Sequence, residues 1–276
     1  MTGVLGGWAF DPAVDAGLLV TGALYVRGVR RVRRPDRKLA NRAACFLGGL
    51  VVLWVALQSP IDAGADLRLS VHMVQHLLLI MAAAPLLVLG APVTLALRAS
   101  RPGFRRRWLL PLLRSRPLRL LTTPAVAWVQ FTLVLWASHF SPLYDMALRN
   151  DGVHALEHLL YVTSAVLFWS PVVGIDPSPR RLSHPARLLY LFLAMPQISF
   201  LGLALWGTDR VLYPVYQATL GAGALDDQRL AGTIMGSAGM ILMVAALGLV
   251  LLDWLTREER EAARTDARIG TEVRPG

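Results

Sequence analysis

Residues 72–92 read HMVQHLLLIMAAAPLLVLGAP. Behind the two histidines the stretch contains no Asp, Glu, Lys or Arg. A helix rises about 1.5 Å per residue, so about 20 apolar residues cross the roughly 30 Å hydrocarbon core of a bilayer. Extended to 70–97, this segment predicts a transmembrane helix. It fixes the reading of its neighbours, because the same pattern recurs on both sides. Further uncharged or nearly uncharged spans are predicted at 13–29, 43–59, 122–140, 153–173, 185–206 and 230–252. Lipid demands that backbone polar groups be satisfied within the segment. The roughly ten-residue alternation of a membrane barrel is missing. The expected fold class is therefore all-α: a polytopic membrane bundle of seven helices over residues 1–255, with a charged tail over 256–276.

Composition agrees. Of 276 residues, 55% are hydrophobic and 17% charged, against about 25% charged in soluble domains. No stretch between the spans is long enough to fold alone. The net charge of +10 does not read as a nucleic-acid surface, because the basic residues cluster in particular loops. Segment 27–42 (RGVRRVRRPDRKLANR) holds eight basic residues and one acid, and 98–119 holds eight and none. Segment 175–187 adds Arg180, Arg181 and Arg187. The alternate loops carry only Arg68, Arg149, Arg210 and Arg229, against Asp62, Asp66, Asp145, Asp151, Asp209, Asp226 and Asp227. Positive loops stay in the cytoplasm, so the N-terminus is expected outside and the C-terminus inside. The Arg-rich loops also suit contact with anionic lipid of the bilayer. A cleavable leader is not expected, since the first 15 residues lack Lys and Arg. One cysteine, Cys45, can form neither an internal disulfide nor a Cys-rich metal site.

The histidines segregate. His72, His76, His139, His154 and His158 are expected within about two helical turns of the outer surface, and only His184 falls on the cytoplasmic side. His72 and His76 are four apart, as are His154 and His158. That spacing puts side chains on one helix face, with Cβ atoms about 5–6 Å apart. Two such pairs with His139 predict a site of three or four nitrogen ligands, a donor set suited to copper or zinc. Glu157 can bind directly or orient an imidazole. Asp227 and Asp226 open the last span on the same side, as membrane-boundary residues or as further oxygen donors. Met73, Met146 and Met235 offer thioethers, though a methionine in an apolar span is more often packing. The alternative for the histidines is interfacial hydrogen bonding without metal; haem ligation is a further one. Imidazole binds metal only when neutral, so affinity is expected to fall as pH drops through about 6.5. His184, before Pro185, reads as a helix-start residue. Pro85, Pro92, Pro171 and Pro196 are expected to kink or end helices, and Gly232, Gly236 and Gly239 to permit close helix packing.

The stretches HMVQHLLLIMAAAPLLVLGAP (72–92) and HALEHLLYVTSAVLFWSPVVG (154–174) resemble the two His-containing spans of the CtaG-type cytochrome c oxidase assembly factors of bacteria. YPVY (213–216) and LDDQRLAGTIMG (225–236) are similar to that family's last outer loop and last helix. The resemblance covers roughly residues 10–255. It implies a multi-pass protein of the bacterial cell membrane that helps assemble haem–copper oxidases, handling copper at the outer face without being an enzyme. Its partners would be cytochrome c oxidase subunits and a periplasmic or extracellular copper chaperone. By the resemblance His72, His76, His154 and His158 face the metal, with Asp226 or Asp227 nearby. Two rival functions follow from the residues. One is a copper permease using Met81, Met195, Met235, Met240 and Met243. The other is a zinc-dependent membrane hydrolase with Glu157 or Asp227 as base and Ser70 or Ser141 as oxyanion donor.

Overall fold

The computed structural model describes residues 8, 11–32, 34–141, 146–147, 150–177 and 181–272. Arg33, Asp145, Arg149 and Arg180, and the side chain of Asp151, lie outside the described residues. The described residues are mostly helical, with no strand among them. The principal helices are α1 (Pro12–Arg31), α2 (Arg37–Gln58), α3 (Pro60–Ala65), α4 (Leu69–Ala99), α5 (Pro124–Phe140), α6 (Asp151–Val173), α7 (His184–Trp206), α8 (Pro214–Leu220) and α9 (224–272). Short basic helical turns fill 102–121 between α4 and α5.

Among the described residues, five helices are long and apolar enough to cross a membrane: α2, α4, α6, α7 and the segment containing α9. Two of the seven expected spans stand apart. Helix α5 has only 17 residues, and α1 carries Asp15 and Arg27 within its 20. Large apolar side chains nevertheless point outward around the bundle, Leu19, Val51, Leu133, Phe192, Phe200 and Leu249 among them. In water they would form an apolar patch far beyond that of a soluble monomer; against lipid they are at home.

Local signals explain the helix starts. Asp11 caps α1, its carboxylate accepting from the Ala13 amide at 2.7 Å, with Pro12 in the first turn. Asp36 and Asn150 do the same for α2 and α6, as short oxygen-bearing side chains do at such ends. His184 is the first residue of α7, as its neighbour Pro185 requires. Pro171 and Pro196 lie inside helices. Pro85 follows a π-helical turn over Leu78–Ala83, where wider hydrogen bonding accommodates a residue with no N–H.

Helix α4 runs through the middle, against α2, α6 and the start of α9. Helix α5 packs on α6, and α7 on α9. The last contact is backbone to backbone. A Cβ added at Gly232 would lie 2.5 Å from the Gly202 carbonyl oxygen, and one at Gly239 would lie 2.6 Å from Ile198 Cγ2. The small residues of the last span thus let α9 touch α7, as small residues do between membrane helices. Helix α9 then continues unbroken to Glu272, through the charged tail.

Candidate metal centre

The two histidine pairs and His139 meet at one end of the bundle. His72 and His76 sit in the first turns of α4, His154 and His158 in the first turns of α6, and His139 in the last turn of α5. Ring centroids are 4.3 Å apart for His72–His76 and 4.2 Å for His154–His158, as the four-residue spacing requires. Tertiary packing supplies the rest. His72 lies 5.6 Å from His154 and 6.4 Å from His158; His76 lies 6.3 Å from His158 and 5.7 Å from His139. The ligand atoms of His72, His154 and His158 all fall within 4.8 Å of one another, as do those of His72, His76 and Glu157. Nitrogens bound at about 2.0–2.1 Å on opposite sides of one ion stand about 4 Å apart. Each of these two groups is therefore within a small side-chain adjustment of an ion, with His72 shared between them; His139, beside His76, belongs to neither group.

Hydrogen bonds set which nitrogen faces inward. The Tyr216 hydroxyl donates to the Ala65 carbonyl at 2.8 Å, and a carbonyl can only accept. His72 Nδ1, 3.2 Å from the same hydroxyl, is then the donor, and the lone pair is on Nε2. His139 Nδ1 lies 2.8 Å from the Leu135 carbonyl, which fixes the same tautomer. Tyr161 braces this side: its hydroxyl is 2.5 Å from Ser138 Oγ and 3.1 Å from His139 Nδ1, and its ring stacks on His76 at 4.2 Å. The Tyr213 hydroxyl donates to the His139 carbonyl. Metal-binding imidazoles are held in this way, through the nitrogen not used for the metal. The His72 and His76 Nε2 atoms approach to 2.8 Å.

Burial makes the donor set costly without a ligand. His72, His76, Glu157 and His158 are between 0% and 8% exposed. Among the described residues, His76 Nδ1, His154 Nε2, His158 Nε2 and both Glu157 carboxylate oxygens have no hydrogen-bond partner. An unmade hydrogen bond at a buried polar atom costs about 1–3 kcal/mol. An ionised carboxylate without a partner costs more still. A cation among these atoms offsets both. The residues present thus fit copper or zinc, with imidazole donors, one carboxylate and no thiolate.

Asp227 is elsewhere. Its carboxylate accepts from the Ser70 amide at 3.2 Å and from the Ser70 hydroxyl at 2.5 Å, capping α4 from the start of α9. It belongs to neither converging group. The same bond commits the Ser70 hydroxyl, which removes it as an oxyanion donor. Asp226 pairs outward with Arg229 at 4.0 Å. Met73 and Met235 are fully buried and Met146 is exposed. At the other end, His184 lies 3.6 Å from Asp253 and stacks on Trp254.

Sequence reasoning on spacing did not assign roles to Tyr161, Ser138, Tyr213 or Tyr216. One signal was available: tyrosine hydroxyls at the end of a bundle seek polar partners when buried.

A family model for the cytochrome c oxidase caa3 assembly factor matches residues 23–257. The chain is also 32% identical over 274 residues to an uncharacterized protein of Mycobacterium bovis, and equally to one of Mycobacterium tuberculosis. A protein of Mycobacterium leprae is 32% identical over 271 residues. Each alignment covers 94–95% of this chain and 41–42% of the relative, so the chain spans about two fifths of the length of these proteins. No solved structure matches it.

Proposed function

As the chain belongs to the cytochrome c oxidase caa3 assembly factor family, we propose that it is a non-enzymatic factor that holds copper at the outer face of the bacterial cell membrane and hands it on during oxidase assembly. The observation that carries this reading is the meeting of imidazoles from α4, α5 and α6 at one buried point, with nitrogen atoms left unpartnered there. In this reading the bundle spans the membrane seven times, with α1 and α5 included, the N-terminus outside and the C-terminus in the cytoplasm. Helix α5 is short, but about 17 residues suffice where the bilayer thins. The cluster then faces the compartment from which a copper chaperone would deliver the ion.

A carrier must also release its cargo. Histidine and carboxylate hold copper less tightly than thiolate holds Cu(I), and the sole cysteine, Cys45, lies on α2, a helix that contributes no residue to the cluster. His72, His76, His154, His158 and His139 would be the nitrogen donors, and Glu157 the oxygen donor. A permease needs donors continuing down the bundle. Below the cluster, buried Phe131, Phe168 and Trp169 fill the space instead, with the Trp169 indole donating to the Ile80 carbonyl.

The test has two arms. Protein purified in detergent is analysed for copper and zinc, as isolated and after titration. Cells lacking the protein are assayed for assembled oxidase and for the copper content of that oxidase. The expected results are bound metal and a copper-poor oxidase. Protein that takes up neither metal sinks the proposal.

Two substitutions refine it. Tyr216→Phe removes the acceptor that fixes the His72 tautomer and the donor to the Ala65 carbonyl, and is expected to weaken copper binding about 10- to 100-fold at a cost of about 1–3 kcal/mol in stability. Competition against a chelator measures this. Asp227→Ala removes the cap on α4 and is expected to cost about 1–2 kcal/mol of stability, while the bound metal per chain stays at the wild-type value. Loss of metal at unchanged melting temperature would instead make Asp227 a ligand.

A further inference from the structure

A cleft of about 600 Å³ opens beside the cluster, between the α1–α2 pair and α6. Its lining includes the carboxylates of Asp11, Asp62 and Asp66 and the imidazoles of His154 and His158. Leu53, Leu57, Leu159 and Val162 form the apolar part of the lining. His158 is 8% exposed, and among the described residues its Nε2 has no hydrogen-bond partner. A donor without a partner thus stands in an acid-lined opening.

We propose that this cleft is the port through which a hydrated divalent metal ion reaches the imidazole cluster, caught first by the carboxylates of Asp11, Asp62 and Asp66 and passed to His154 and His158. The inference rests on the metal-handling reading of the cluster and names its cargo more closely. Carboxylate and water oxygens hold divalent ions, whereas Cu(I) prefers sulfur, so the form admitted is Cu(II) or Zn(II). Like charges among low-dielectric walls focus their field into the opening and raise cation on-rates by about 10- to 1,000-fold. The carboxylates of Asp62 and Asp11 are anchored but keep capacity to bind. Asp62 accepts from the Gln75 amide at 2.7 Å and Asp11 from the Ala13 amide at 2.7 Å, each through one oxygen. They also act on one another. Burial raises the Asp62 pKa; the Gln75 bond and then His154 oppose that rise, and Asp66 and Asp11 add smaller upward pushes. A passing cation relieves that repulsion.

The test follows Cu(II) uptake by the full chain in lipid nanodiscs, using stopped-flow quenching of tryptophan fluorescence and metal analysis at the end point. Asp62→Asn with Asp66→Asn keeps shape and hydrogen bonding while removing two charges. The on-rate is expected to fall about tenfold at low salt, to lose most of its salt dependence, and to reach the wild-type end point. A second variant, Ala155→Phe, narrows the cleft without touching charge, and is expected to slow loading in the same way. Wild-type rates in both variants overturn the port and leave the cluster reading intact. An end point lowered in the Asn variant overturns it too, since the carboxylates would then be permanent ligands. A wild type that takes up no Cu(II) overturns port and cluster together.

Discussion

Purified protein carrying His76→Ala and His158→Ala is expected to hold no copper under conditions in which the wild type retains its ion. The pair is chosen because each substitution removes one imidazole from a different helix, α4 and α6, and neither histidine caps or starts a helix. One lost ligand would leave the remaining donors free to close around the ion. Two leave neither helix with a complete pair. The loss should exceed the 10- to 100-fold typical of removing an orienting residue, so occupancy should vanish at micromolar metal. The fold is expected to survive. His76 Nδ1 and His158 Nε2 are buried without partners, so their removal offsets part of the cost of losing the His76 contacts with His72 and Tyr161. Metal analysis beside a thermal melt reads both quantities. Equal copper in wild type and variant, at equal melting temperature, would end the metal-centre reading.

Gly232→Leu is expected to prevent the bundle from assembling stably. At this crossing α7 and α9 meet through their backbones, and a Cβ at Gly232 would sit 2.5 Å from the Gly202 carbonyl oxygen and 2.7 Å from the Trp206 amide. Overpacked cores relax by moving side chains and lose about 1–3 kcal/mol. Here the obstacle is backbone, so the helices themselves must separate, and the cost should exceed that range. Gly232→Ala is expected to destabilise less, in the same direction. Separation of α9 would also withdraw Asp227 from Ser70 and loosen the end of α4 that presents His72 and His76. Fluorescence-detected size exclusion after heating measures the effect. A Leu variant that melts with the wild type would show that the two helices do not cross so closely in the membrane.

Most of the fold is legible in the sequence because lipid imposes it locally. Each predicted span corresponds to a helix whose ends lie within a few residues of expectation, apart from the start of α9, at Ala224 rather than 230, and the two ends nearest charged segments. Helix α2 begins at Arg37 rather than 43, and α9 runs on through the tail. In both places caps or charge pairs outside the membrane continue a helix that hydropathy cannot see: Asp36 caps Leu39, and Arg257 pairs with Asp253 one turn away. The candidate site was partly legible. The two His-x-x-x-His pairs and the position of His139 followed from helical period and loop charge. The bond of Asp227 to Ser70 did not, since the two lie 157 positions apart.

What the sequence determined by itself is therefore everything that depends on separation along one helix: which segments suit a bilayer, and which histidines share a face. These follow from a rise and a period that hardly vary. The tertiary structure alone decided which faces meet. Helix α4 is turned so that His72 and His76 face His154, His158 and His139 rather than lipid, and α9 supplies a cap for α4 through Asp227. Tyr216 and Tyr161 arrive from other elements to hold the imidazole rings. Those outcomes are set by packing between segments far apart in the chain, such as the glycine contact of α7 with α9, and no local pattern encodes them.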